Sequence, residues 1–177
     1  MSASKIIRPD VDHKDSFLTA LKEYHDEGQL TFINEQEIAE NFGDFIKVLK
    51  SERGFPHKPF QDWADPVPET ILWLIKDDEF LGMIEIRHRL NWHLEKWGGN
   101  LNFSIRPSMR GKGFSKKLLL KAKPFINYLG IDRALITVDP ENTAAKAAVE
   151  AAEATFSDET PQTDRFPARL RYWLDCT

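Results

Sequence analysis

The sequence predicts a mixed α/β fold, on three observations. Segments with alternating apolar residues are interleaved with segments whose apolar residues recur at helical spacing; a β-α-β unit runs from Gly99 to Asp139; and the composition is globular, with 41% hydrophobic and 29% charged residues. The 177 residues suit one domain, 1–177, large enough to bury a proper core.

Ser4 to Arg8 reads as a first strand. A helix follows from about Asp12, its N-cap, with Phe17, Leu18, Leu21 and Tyr24 at helical spacing. A second helix near Asn34 carries the stripe Ile38, Phe42, Phe45, Ile46 and Leu49 and must end before Gly54. Phe55 to Pro68, with its prolines and no period, is expected to be a wrapping loop. Glu69 to Lys76 and Phe80 to Asn91 form a hairpin through Asp77-Asp78-Glu79. Alternation in the second strand puts Phe80, Gly82, Ile84, Ile86, His88 and Leu90 on one face, and Leu81, Met83, Glu85, Arg87 and Arg89 on the other.

Next come a strand at Gly99 to Arg106, a helix bearing Phe114, Leu118, Ala122, Phe125 and Leu129 that stops at Gly130, and a buried strand from Arg133 to Asp139. Pro124 conflicts with that helix and should kink or split it. An alanine-rich helix capped by Asn142 runs to about Glu153, and two strands, Ala154 to Asp158 and Arg169 to Cys176, close the chain. The order is β-α-α-β-β-β-α-β-α-β-β. The Gly99–Asp139 unit should be a right-handed crossover that sets two parallel strands side by side.

Within that unit, Asn100 to Ser115 (NLNFSIRPSMRGKGFS) is a strand, a proline turn and a glycine-punctuated helix start. Backbone N–H groups at a helix N-terminus lack intrahelical partners, and the helix dipole adds positive charge there, so an anion is the natural occupant. Residues 96–131 contain eight Lys or Arg and no Asp or Glu, so they carry +8 in a chain of −4, a local field set in an otherwise acidic chain. Lys116 and Lys117 lie in the first helical turn, where a cation opposes the dipole unless a polyanion sits before it.

Several classes are excluded. No apolar run is long enough to span a membrane, and MSASKIIRPD has no secretory h-region. Cys176, the single cysteine, cannot make an internal disulfide, so a reducing, cytoplasmic setting is expected. The five histidines are scattered without metal-ligand spacing, so no metal is expected. The loop matches neither the P-loop spacing nor the dinucleotide fingerprint, which wants a third glycine where Lys116 stands.

Arg110-Gly111-Lys112-Gly113-Phe114-Ser115 resembles the acyl-CoA loop Arg/Gln-x-x-Gly-x-Gly/Ala of the GNAT family of N-acetyltransferases. Ser104-Ile105-Arg106-Pro107 resembles the strand end which that family sets beside its cofactor, and Asp139 to Ala145 (DPENTAA) resembles its strand-five exit and next helix start. Gly82 to Asn91 (GMIEIRHRLN), with Gly98-Gly99, resembles a bacterial group of predicted acetyltransferases. The resemblance implies a mixed, mostly antiparallel central sheet with helices on both faces and acetyl-CoA as cosubstrate. It also implies two strands that splay to admit the pantetheine arm. Backbone groups of Phe103, Ser104 and Ile105 would then bind that arm, N–H groups from Arg110 through Gly111, Lys112, Gly113 and Phe114 to Ser115 would hold the pyrophosphate, and Asn142 and Lys146 would border the arm. A backbone N–H near Phe103 would stabilise the oxyanion.

Many family members carry a Tyr seven residues after the helix-start Asn to protonate the leaving thiolate; here that residue is Val149. Water or Tyr172 would be the substitute donor. Glu85 and His88 are the candidate general bases, because this strand borders the acceptor side. Each has a structural rival: a sheet salt bridge with Arg87 or Arg89 for Glu85, and a packed core imidazole for His88. The acidic end of the first helix around His25 hints at a cationic amine.

The activity implied is acetyl transfer from acetyl-CoA to a primary amine of a small molecule or peptide, by direct attack in a ternary complex. One alternative is a non-catalytic acyl-CoA-binding regulatory domain, which Val149 keeps open. The other is a nucleic-acid-binding module using the basic 96–131 segment, against which the acidic remainder and a pI near 5.8 count. Exposed sheet edges of this architecture often meet in dimers, so a homodimer is one expected arrangement.

Overall fold

Alternation along the chain sorts the strands into two antiparallel sheets. In a computed structural model that describes residues 2–59 and 65–177, the first sheet orders β1 (Lys5–Ile7), β2 (Glu69–Lys76), β3 (Glu79–Arg87) and β4 (Leu101–Ile105). The second contains β5 (Arg133–Val138), β6 (Thr155–Thr160) and β7 (Arg169–Asp175), with β7 between the other two. Helices α1 (Lys14–Asp26), α2 (Glu35–Glu40) and α3 (Phe42–Leu49) pack on Ile71, Trp73, Ile75, Phe80 and Met83. On the other face, α4 (Phe114–Tyr128) and α5 (Thr143–Ala151) share a core with Leu72, Leu74, Ile84, Ile86 and inner residues of the second sheet. The order expected from the sequence holds, with one helix divided.

The departures have local causes. Asp10, not Asp12, is the capping side chain; it accepts from the Asp12 N–H and starts a 3-10 turn, Val11–His13, ahead of α1. The second helix breaks into α2 and α3 at Asn41, whose φ of −129° leaves the helical region and whose side chain donates to the Glu37 carbonyl. The apolar stripe survives the break, with Ile38, Phe42, Phe45, Ile46 and Leu49 all buried. Residues 60–64 of the expected Phe55–Pro68 loop lie outside the described residues.

In β3 the expected faces are reset by a β-bulge. Leu74 pairs with Gly82 and Ile75 with Phe80, so Leu81 is the extra residue, and Phe80 turns to the α1–α3 side while Leu81 joins Ile84 and Ile86. The strand ends at Arg87, leaving His88 and Leu90 outside it. Pro124 does not split α4, which runs unbroken to Tyr128. Pro124 and Leu120, the residue whose carbonyl loses its helical donor, both lie on the exposed side, and Leu118, Leu119, Ala122 and Ile126 anchor the inner side. Phe125, expected inside, is exposed, and Ile126 takes its place.

The parallel pair expected from the Gly99–Asp139 crossover is not a ladder. β4 and β5 are held together just before β4 by Asn100, which is buried and serves both sheets. Its N–H donates to the Leu135 carbonyl (2.8 Å) and its Oδ1 accepts from the Leu135 N–H (2.9 Å). Its carbonyl accepts from the Arg87 N–H (2.7 Å), and its Nδ2 donates to the Arg87 carbonyl (3.1 Å). The close approach requires Gly99, because a Cβ there would lie 2.6 Å from the Leu135 carbonyl oxygen at a φ of +67°. Beyond this stitch the two strands belong to separate sheets, and the facing edge of β4 stays open.

Candidate active site

The open edge is where the loop residues converge. Along β4, the Arg106 N–H donates to Leu81 and the Asn100 carbonyl accepts from Arg87, so even-numbered residues direct their backbone groups to β3 and odd-numbered ones to the open edge. Phe103 therefore presents its N–H and C=O to the splay. The Ile105 carbonyl also points there but accepts from Arg110 Nε (3.1 Å). The Ser104 backbone faces β3, so Ser104 can serve the site only through its side chain.

A cleft of about 600 Å³ follows that edge, lined by Phe103, Ser104, Ile105, Asn142, the alanine face of α5 and the loop from Met109 to Lys116 apart from Lys112. Small α5 side chains keep it wide. Gly111 (φ +76°) and Gly113 (φ +80°) hold the loop in the left-handed region, and a Cβ on either would point into open space. The first α4 bond runs from the Lys117 N–H to the Gly113 carbonyl, so the N–H groups of Phe114, Ser115 and Lys116 have no intrahelical acceptor. Asn142 lines the cleft while its side chain caps α5 by accepting from the Ala145 N–H. Lys112 and Lys146 lie outside the lining residues.

The positive field is narrower than the sequence count of eight. Arg106 is committed to Glu23 (2.6 Å) and Glu79 (3.0 Å), and Arg110 grips both oxygens of Glu27 (2.8 and 2.9 Å). Burial raises the Glu23 carboxyl, but hydrogen bonds from Ser108 and Arg106 prevail and hold it below the usual range. These pairs bolt the proline turn, Pro107–Met109, to α1. Among the described residues, Lys112, Lys116 and Lys117 of the loop are left without a carboxylate partner and supply its charge.

A second cavity, of about 280 Å³, lies on the α1 side of β4 and is lined by Tyr24, Gln29, Leu30, Met83, Glu85, Asn102, Phe103 and Ser104. It shares Gln29, Phe103 and Ser104 with the cleft. Glu85 is 5% exposed, and its Oε2 accepts from Lys58 Nζ (3.0 Å) and Asn102 Nδ2 (3.3 Å). Arg87 and Arg89, its expected salt-bridge partners, bond instead to Glu69 and Asp65. His88 is half-buried just past the end of β3, its Nε2 2.6 Å from the hydroxyl of Thr70 at the start of β2, and lines neither cavity. Tyr172 lies in the core and donates to Glu150 (3.1 Å), also away from both cavities. Val149 is buried in the same core.

Tyr24 was legible in the sequence only as part of a helical stripe. In the structure it is 1% exposed, and its hydroxyl is 3.0 Å from Ser104 Oγ at the junction of the two cavities. Burial pushes its phenol from 10.0 up to about 12. A raised folded pKa means that the native state keeps the proton longer, so this stability term is full below pH 10 and is lost as pH rises to about 12, at a cost of about 3 kcal/mol. Urea midpoints measured through that window should fall more steeply for the wild type than for Tyr24→Phe; equal slopes would mean that Tyr24 does not hold its proton so tightly.

Among the described residues no cluster of His, Cys, Asp or Glu could hold a metal ion, and no helix is long and apolar enough to cross a membrane. No curated protein is detectably similar in sequence. Solved structures are similar in fold. The microcin C7 self-immunity acetyltransferase MccE, solved with acetyl-CoA and AMP, aligns at a TM-score of 0.67 and 9% identity, covering 99% of this chain and 93% of that one. RimL, a ribosomal L7/L12 α-N-protein acetyltransferase solved with coenzyme A, gives 0.66 at 12% identity, covering 100% and 97%. The aminoglycoside acetyltransferase AAC(6')-Ib, solved with coenzyme A and kanamycin, gives 0.64 at 13% identity, covering 98% and 95%. Residues 17–155 match the family model "Acetyltransferase (GNAT) domain", a span that holds the glycine loop, the splayed strand and Glu85 together, and on that match the chain belongs to the GNAT acetyltransferase family.

Proposed function

We propose that the protein transfers the acetyl group of acetyl-CoA to a primary amine by direct attack in a ternary complex. The observation that carries the reading is the meeting of two cavities at Phe103 and Ser104, one bordered by an anion-accepting loop and the other by a buried carboxylate. The cleft suits the cosubstrate. N–H groups from Gly111 to Ser115 would face the pyrophosphate, with Lys116 and Lys117 opposing its charge, and the open backbone edge of Phe103 would hydrogen-bond the pantetheine arm.

Glu85 is suited to take the proton that the amine loses as its nitrogen bonds to the thioester carbonyl carbon and the C–S bond breaks. The Phe103 N–H, on the open edge of β4, would stabilise the oxyanion formed between those events. A phenol at about 12 is too weak an acid to give up its proton to a thiolate, so Tyr24 would orient the Ser104 hydroxyl as a hydrogen-bond donor to the leaving sulfur. The fold neighbours include a protein solved with kanamycin and two that act on a ribosomal protein N-terminus and on spermidine by name, so these three acceptor chemistries are the first to try.

The test is thiol release from acetyl-CoA with kanamycin, spermidine and a serine-terminated peptide, run beside thermal unfolding with acetyl-CoA. A thermal shift with turnover of one amine supports the proposal. A shift without turnover of any amine favours the non-catalytic reading that Val149 keeps open. No shift with acetyl-CoA at millimolar concentration overturns the proposal.

A further inference from the structure

The cleft and the cavity beside Glu85 are two spaces that share Gln29, Phe103 and Ser104, so these three residues frame the neck between them. On the function proposed above, the thioester reaches this neck from one side and the amine from the other, and the acyl group stands in it. One wall is fixed. Phe103 and Ser104 belong to β4, where they pair with Ile84 and Met83 of β3, and the Ser104 hydroxyl is 3.0 Å from that of the buried Tyr24.

Gln29 forms the other wall. It follows α1 in a tight turn between Gly28, with a φ of +75°, and Leu30, with a φ of +55° in the left-handed region that a leucine seldom adopts. The Gln29 N–H donates to the Tyr24 carbonyl (2.9 Å), and the Leu30 carbonyl accepts from the Ile33 N–H (3.0 Å) and from His25 Nε2 (3.0 Å). Every one of these bonds uses a backbone group of the turn, so the knuckle is held without the Gln29 side chain. Gln29 is exposed, and among the described residues its side-chain amide has no hydrogen-bond partner. Strained non-glycine backbone persists where its surroundings over-determine it, and such places cluster at ligand sites. Here the strain sets beside the neck a polar side chain that the fold does not use.

We infer that Gln29 selects the acyl donor: its side chain closes the neck beyond the acetyl methyl, so acetyl-CoA is accepted and donors with longer apolar acyl chains are refused. The inference rests on the reading of the cleft as the acyl-CoA site. Bulk and polarity act together. Each further methylene needs room that the fixed β4 wall does not yield, and a chain laid against Gln29 would strip water from an amide with no protein partner to replace it. An acetyl group ends before that penalty arises.

The probes are acetyl-CoA and butyryl-CoA, titrated separately by calorimetry into the full-length protein. The wild type should bind acetyl-CoA the more tightly. Gln29→Ala removes both the bulk and the amide and should gain about tenfold in affinity for butyryl-CoA, the low end of what a methylene is worth in a discriminating pocket, with acetyl-CoA affinity unchanged. Gln29→Glu, equal in size and more polar, should keep the wild-type preference. Gln29→Ser replaces the alanine variant if urea unfolding finds that variant destabilised. An unchanged ratio of the two affinities in Gln29→Ala, or the same gain in Gln29→Glu, overturns the inference. A protein that binds acetyl-CoA with that ratio fixed loses this inference alone, whereas one that binds neither acyl-CoA loses the cofactor reading with it.

Discussion

Replacing Gly113 by glutamate is expected to abolish acetyl-CoA binding while leaving the fold in place. A Cβ at this position meets nothing within 4 Å, so the new side chain would extend into the cleft where the pyrophosphate is expected, with a negative charge among N–H groups. The φ of +80° adds a strain of about 1–2 kcal/mol, which lowers Tm by a few degrees without threatening the core. In the wild type, acetyl-CoA at about a hundred times its Kd should raise Tm by about 5–10 °C. That shift should vanish in Gly113→Glu and survive in Gly113→Ala, which carries the same strain without the charge. Retained wild-type affinity in the glutamate variant would remove the loop from the cofactor site.

Glu85→Gln is expected to lower kcat by about 10²–10⁴-fold, the range for loss of a positioned general base, with little change in the KM for acetyl-CoA. The amide is nearly isosteric and can still accept from Asn102 Nδ2, so the β3–β4 pairing at this position should be kept. Lys58, a third exposed, can turn to water once its counter-charge is gone. A kcat close to wild type in this variant would return Glu85 to the role of a simple ion-pair partner.

Much of the fold was legible because its signals are local. The Asn142 cap, the Gly130 stop and the glycine loop each depend on residues within one turn of one another, and each stands where the sequence put it. The errors arose where distant residues decide. Nothing near Leu81 announces a bulge, which is set by how β3 meets β2 and β4, and Phe80 changed faces as a result. Arg106 and Arg110 looked free because their partners, Glu23 and Glu27, stand more than eighty positions away. Tyr24 and Ser104 are eighty residues apart, and a tyrosine in an apolar helical stripe carries no mark of the hydroxyl it meets. Lys58 lies in a proline-rich stretch without period, where sequence alone gives no direction to a side chain. The one usable hint for Tyr24 was chemical: among Phe17, Leu18, Leu21 and Tyr24, it alone has a polar tip that burial obliges to find a partner.

The placing of β7 between β5 and β6 governs how the protein is made. During synthesis β5, α5 and β6 leave the ribosome first, yet β5 and β6 share no ladder of their own; both wait for Arg169–Asp175. The first sheet, by contrast, is finished once β4 has emerged, so the N-terminal half can condense on its Trp73 core while one wall of the cofactor cleft is still unsupported. Nascent protein would then hold the cavity beside Glu85 before the cleft along β4 has its α5 wall in place, and the second sheet closes only when β7 slides between β5 and β6.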